Sequence, residues 1–345
     1  MSLSNATVAE INALRYGNMI FFEFWSYLLI CLGIIGHSLN IYVFTRPILR
    51  SNPCTRYFLA VTITGSFVTI FNMPLRLIQL MYPAYNPFGY SIASCKILSF
   101  IVMCARAFPC WFIALASIDR FLCSSTSATI RGWSSRRVAT RAILVVTIIV
   151  PLFYLYVPII FQNIETVTKC PLAQTTFPLF NGIWNLLIFS LGPSIVMLIF
   201  GLLTIQHVRQ SRKRIVSQNI QVQNQTESIT PAQQEQLKRQ KTTDRQLLQM
   251  MLVQCVYFSL WSTPISVLYI YTALRINVVP DALQLAKDSL FTNITGVLSG
   301  TSACTSFYVF TLSSRLFRRE LMELFKCQWR LNQTIATGTG SRQRN

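Results

Sequence analysis

Residues 141–161, RAILVVTIIVPLFYLYVPIIF, carry one charge, at their first position, and almost nothing else that is not aliphatic or aromatic. A helix needs ~20 such residues to cross the ~30 Å hydrocarbon core of a bilayer. Working outward from this run, six more of the same kind appear. The spans fall at about 20–44, 57–81, 96–121, 140–161, 178–206, 247–274 and 288–312. The seventh contains FTNITGVLSGTSACTSFYVFTL (291–312), rich in Ser, Thr and Gly. Small residues let helices approach closely in lipid, so this span reads as one buried inside a bundle. None of the spans alternates with the short period of an outer-membrane barrel strand. The sequence predicts an all-α membrane protein, a seven-transmembrane helix bundle followed by a short amphipathic eighth helix.

Composition points the same way. Of 345 residues, 52% are apolar and only 12% charged, against about 25% charged in a soluble domain. The 24 Phe, 13 Tyr and 6 Trp exclude a disordered basic chain. The low charged fraction argues against a soluble enzyme and against a nucleic-acid binder, although the net charge is +19. That excess is one-sided. With Arg120 counted at the foot of span three, 23 of the 30 Lys and Arg lie on the connectors after spans one, three and five and on the tail. By the positive-inside rule this side is cytosolic, with the N-terminus (1–19) extracellular. Those 19 residues have no basic leader pattern, so span one is expected to act as its own insertion signal.

The connector at 207–246 is Gln-rich and lacks aromatics. It reads as a mobile cytosolic loop, with helix resuming near Gln233. In the segment 313–345, Phe317, Leu321, Leu324 and Phe325 follow helical spacing among Arg315, Arg318, Arg319 and Lys326. That pattern suits a helix lying on anionic inner-leaflet lipid. Cys327 just beyond it is a palmitoylation candidate, or simply a cytosolic thiol. Of ten cysteines, only Cys95 and Cys170 fall on the oxidising side. They are the disulfide candidates, the alternative being two free thiols. Topology also leaves Asn5 as the accessible glycosylation acceptor among four N-x-S/T matches, at Asn5, Asn224, Asn293 and Asn332.

The end of span three, Asp119-Arg120-Phe121, stands 25 residues after Cys95. Taken with Pro74, Trp111, Pro193, Phe258, Pro264 and Phe317-Arg318, this resembles the rhodopsin-like (class A) G-protein-coupled receptors over about residues 20–327. The stretches GHSLNIYVF (36–44), SNPCTRYFLA (51–60), GLLTIQHVRQSR (201–212) and SFYVFTLSSRLFRREL (306–321) resemble invertebrate receptors of the FMRFamide-type neuropeptide group. The resemblance implies a plasma-membrane receptor with an extracellular ligand of the peptide kind. It implies a heterotrimeric G protein and arrestin as cytosolic partners, membrane lipids around it, no cofactor and no metal.

The same resemblance supplies residue roles. Arg120, beside Asp119, is expected to pair with Asp244 and hold spans three and six together at rest. Agonist would break the pair and let span six swing about Pro264. The plain alternative is a set of solvated surface charges. Pro193, Cys110 and Phe258 match the family's transmission cluster, or ordinary packing. Arg106, an intramembrane cation, is a binding candidate by its nature. Arg76, Trp184, Asn185, Tyr269 and Asn293 are expected to share its cavity, each with packing as the alternative. Val102 stands where amine receptors have Asp, and Gly300 where opsins have the retinal Lys, so amine and retinal ligands are disfavoured.

Several positions depart from the family pattern. His37 replaces the span-one Asn, Gly65 the span-two Asp, Pro109 the span-three Ser and Ser262 the span-six Trp, with Trp261 adjacent. The NPxxY segment reads Ser306-Phe307-Tyr308-Val309-Phe310. These changes predict no sodium pocket and altered or weak coupling. Catalysis is not expected, because two histidines and no paired intramembrane carboxylates leave little to work with. A transporter or channel is the other reading, disfavoured by the lack of repeats and midplane polar pairs.

Overall fold

The computed structural model describes residues 4–50, 52–160, 177–221, 231–275 and 278–324. Among these every regular element is helical. Helix α1 runs Asn5–Thr45, α2 Pro53–Met81, α3 Ile92–Ser124 and α4 Arg136–Ile160. Helix α5 begins at Phe177 and ends at Gln221, α6 is Pro231–Leu274, and α7 is Ala282–Cys304, resuming as Ser306–Ser313. Residues 315–324 form α8. Six of the helices, α1 to α6, are long and apolar enough to cross a membrane. The seventh, Ala282–Cys304, is not among them: it carries Gln284, Lys287, Asp288 and Asn293 as well as many Ser and Thr. Their hydroxyls are absorbed locally: Thr295, Thr301 and Thr305 each donate to the carbonyl four residues earlier.

Burial orders the bundle. In α3, 56% of the most apolar window is buried; in α4 the figure is 17%. Helix α3 is therefore the central post. Helix α4 presents Leu144, Val145, Ile148 and Leu152 outward, as a lipid-facing helix must.

Two boundaries differ from the sequence expectation. Helix α1 starts at Asn5, about four turns before the apolar span at 20, capped by Ser4. Its polar first turns have partners on α7, which hydropathy alone does not register. Glu10 pairs with Lys287 at 3.3 Å, and Asn293 Nδ2 donates to Asn18 Oδ1 at 3.3 Å. The connector 207–246, expected as a loop until helix resumes near Gln233, instead continues α5 as helix to Gln221; the resumption, at Pro231, is close to where it is expected. Gln, Lys and Arg are good helix formers, and extending an existing helix avoids the cost of nucleation.

Helices α2 and α5 contain π-helical segments, Val68–Asn72 and Leu186–Leu191. Each lies just before a proline, Pro74 or Pro193. The ring removes one N–H from the ladder, and the chain widens to i→i−5 bonds: Met73 N–H to Val68 and Gly192 N–H to Leu187. A Cβ on Gly192 would lie 2.3 Å from the Leu187 carbonyl, so the second bulge requires glycine there.

Candidate functional site: two arginine centres on one helix

Helix α3 carries an arginine at each of two depths. Arg106 and Arg120 are fourteen residues apart, about 21 Å along the axis.

Arg120 is 3% exposed and fully engaged. Its Nε and one terminal nitrogen donate to Asp119 Oδ2 at 3.3 and 2.7 Å. The other terminal nitrogen reaches Asp244 Oδ1 of α6 at 3.2 Å. Asn52 Oδ1 accepts a further bond at 3.1 Å. Ser134 Oγ donates to the far oxygen of Asp119 at 2.9 Å. Asn52 also donates to Asp244 Oδ1 at 2.7 Å, so one amide joins both sides of the ion pair. Asn52 is held by its own helix: it N-caps α2, accepting from Cys54 N–H at 3.0 Å, with Pro53 behind it. Asn52 has no expected role in the sequence, because its partner Arg120 lies 68 positions away.

A second tie reaches the same end of α6. Gln246 Oε1 accepts from Ser314 Oγ at 3.0 Å and from the backbone N–H of Leu316. Beside it Phe44, Phe58, Phe310 and Phe317 pack with ring centroids 5.1 to 6.2 Å apart. Phe310 ends the segment that replaces NPxxY. Tyr308 points away to α1, its hydroxyl on the Leu32 carbonyl at 3.2 Å.

Arg106 lies in a different setting. It lines a cavity of about 290 Å³ together with Arg76, Tyr269, Cys110 and Phe258. The π-helical Val68, Asn72 and Phe189 form part of the same wall. One guanidinium nitrogen of Arg106 donates to Ser299 Oγ at 3.2 Å, and the group sits over the Phe189 ring, 4.6 Å from its centroid. Arg76 donates to Gln79 Oε1 at 3.1 Å. No Asp or Glu is among the lining residues. Val102 and Gly300 also line this cavity. A Cβ on Gly300 would meet the Met73 terminal methyl at 2.0 Å, so a side chain there requires the flexible methionine to move.

Three expected cavity residues lie elsewhere. Trp184 donates to the Phe153 carbonyl at 2.8 Å and stacks on Phe180, closing α4 against α5. Asn185 is spent on Asn181, one turn back on α5. Asn293 faces α1, as above. In each case a nearer polar or aromatic partner fixed the rotamer. Pro193 shapes the α5 bulge without lining the cavity, and Pro264 stands within the unbroken α6. Asn5 is exposed at the first turn of α1. Cys95 is fully buried and is not among the free thiols. Cys170 and Cys327 lie outside the described residues.

Between the two centres, His37 fills the space of the missing span-two side chain. A Cβ on Gly65 would lie 2.7 Å from His37 Cε1. His37 Nε2 is 3.2 Å from Thr69 Oγ1, which in turn donates to Cys304 Sγ at 3.3 Å. The two departures at 37 and 65 are thus one exchange of volume between neighbouring helices.

No curated protein matches the chain. The model of the family described as 7 transmembrane receptor (rhodopsin family) matches residues 38–306, well over half of the sequence. A central α3 with a buried Arg120 tied to α6, a cavity above it and this match together place the chain in the rhodopsin family of seven-transmembrane receptors.

Proposed function

We propose that this receptor sits in the plasma membrane with its N-terminus outside, binds a peptide ligand in the Arg76–Arg106 cavity, and activates a heterotrimeric G protein. The Arg120–Asp244 pair carries the reading. It joins α3 to α6 at the end opposite the cavity, so a ligand drawing on α6 through Phe258, Ile265 or Tyr269 works against that pair. Helix α6 then moves about Pro264, and the cytosolic face opens. Gln246 resists the same movement. Arrestin meets the same face, with α8 lying on inner-leaflet lipid and Cys327 as its acyl site. Outside, Cys95 pairs with Cys170 and Asn5 carries glycan.

The test is nucleotide exchange on G proteins by the purified receptor, with solute flux into vesicles measured in parallel. Exchange that rises in Asp244→Ala without ligand supports the lock. An unchanged basal rate counts against it, and flux without exchange overturns the receptor reading.

The altered segment around His37, Gly65 and Ser262 favours a second, narrower reading: a receptor with weak coupling. Its mark is a small maximal exchange rate that rises little even when Asp244 is removed.

A further inference from the structure

Two intramembrane cations share one cavity, and among the described residues neither has a counter-ion. Among the described residues Arg76 and Arg106 form no ion pair; their polar contacts are neutral, Gln79 and Ser299. They approach the same turn of α7. Arg106 bonds Ser299, and a Cβ on Gly296 would lie 3.9 Å from an Arg76 terminal nitrogen. A charge at this depth without a partner is costly, and Arg120, on the same helix, shows what a satisfied one looks like. The guanidinium fork suits a carboxylate, which can accept from two nitrogens at once.

Two residues that line the cavity each carry a side-chain oxygen that accepts no hydrogen bond, Asn72 Oδ1 and Gln254 Oε1, both closed off from solvent as the helices stand. Asn72 is 4% exposed and Gln254 1%, and both line the cavity. Buried acceptors of this kind call for N–H donors. Phe22, Val68, Val102 and Leu268 supply apolar wall. A volume of about 290 Å³ is at the low end of the ~300–1,000 Å³ usual for ligand sites, so only the end of a peptide enters.

From this we infer that the cavity takes a free carboxylate carried next to an amide N–H and an apolar side chain. That is the chemistry of an unamidated peptide C-terminus or of an N-acylated amino acid. The inference rests on the receptor reading above and narrows it. It separates this site from the amidated Arg-Phe end of an FMRFamide-type peptide, which would bring a further cation and no carboxylate to two arginines.

The test uses purified receptor in lipid nanodiscs, with thermal unfolding followed against ligand concentration and G-protein nucleotide exchange run on the same samples. The probes are N-acetyl-phenylalanine and N-acetyl-leucine, tetrapeptides ending in those residues, and the C-terminal carboxamide of each. The acids are expected to raise Tm and the carboxamides to leave it unchanged. Arg76→Gln and Arg106→Gln should each raise the half-saturating acid concentration tenfold or more. If Arg106→Gln does not fold, Arg106→Lys keeps the charge without the fork and should bind acids more weakly while still preferring them to amides. A larger shift with tetrapeptide acids assigns the peptide source; an equal shift with acetylated amino acids assigns a small acid. Carboxamides as effective as acids, no Tm shift with any acid, or full binding in the Arg76→Gln/Arg106→Gln double variant overturns the inference. Acid binding without exchange leaves the ligand class intact and removes the coupling reading, whereas exchange driven by carboxamides alone does the opposite.

Discussion

Arg106 and Arg120 are the same residue on the same helix, and their surroundings are opposite. Arg120 is 3% exposed and meets two carboxylates and an amide. Arg106 meets one hydroxyl and the face of a ring. A fully partnered buried charge stabilises one arrangement of helices and resists change. An under-partnered one is a cost that a complementary ligand relieves. On the function proposed above, the contrast divides α3 into an end that holds and an end that senses.

The strongest test of that contrast is to remove each charge in turn. Arg120→Gln leaves Asp119 and Asp244 facing each other without a cation, and breaking a buried pair in this way costs about 3–5 kcal/mol. It should lower the Tm and the yield of folded receptor sharply. Arg106→Gln, measured without ligand, should lose nothing or gain slightly. Equal losses in thermal unfolding would break the comparison.

The zone between the two centres comes next. Gly65→Ala drives a methyl group into His37 and should cost about 1–3 kcal/mol, the usual range for overpacking. Adding His37→Ala should recover most of the lost Tm. If Gly65→Ala is neutral, the exchange of volume between α1 and α2 is not what fixes their spacing.

A smaller effect belongs to Asn52→Ala, which removes a helix cap and the amide that bridges Arg120 and Asp244. A cap alone is worth about 1 kcal/mol. Basal nucleotide exchange should rise, less than in Asp244→Ala, and a fall below wild type would remove Asn52 from the resting lock.

Least of all, Arg46→Ala should shift Tm by under about 1 kcal/mol equivalent. Its ion pairs with Glu320 and Glu323 at 3.6 and 3.1 Å tie the end of α1 to α8; Arg46 is half-buried and Glu323 exposed, and the buried Glu320 keeps Arg319 at 3.4 Å when Arg46 is removed. A large loss there would mean that α8 is held by charge more than by Phe317.

Much of this was readable beforehand, and the reasons are specific. Runs of apolar residues set the spans because lipid accepts little else. Cys95, Arg120, Asp244 and Pro264 could be placed because helical rise converts separation in sequence into depth. Arg106 stood out as a cation at membrane depth. Depth does not give rotation, however, and Trp184, Asn185 and Asn293 were expected in the cavity but turn toward nearer partners. Asn52, Gln246 and Ser299 were not foreseen as contacts, since each acts on a helix far away in sequence and is unremarkable in its own neighbourhood.

The sequence by itself determined the number of crossings, the side on which the basic residues gather and the depth of each charge, because these follow from hydropathy, charge asymmetry and the fixed rise of a helix. Only the tertiary structure decided which charges are partnered. That depends on which faces of seven helices meet, and those contacts join residues up to 277 positions apart, whose pairing no local pattern encodes.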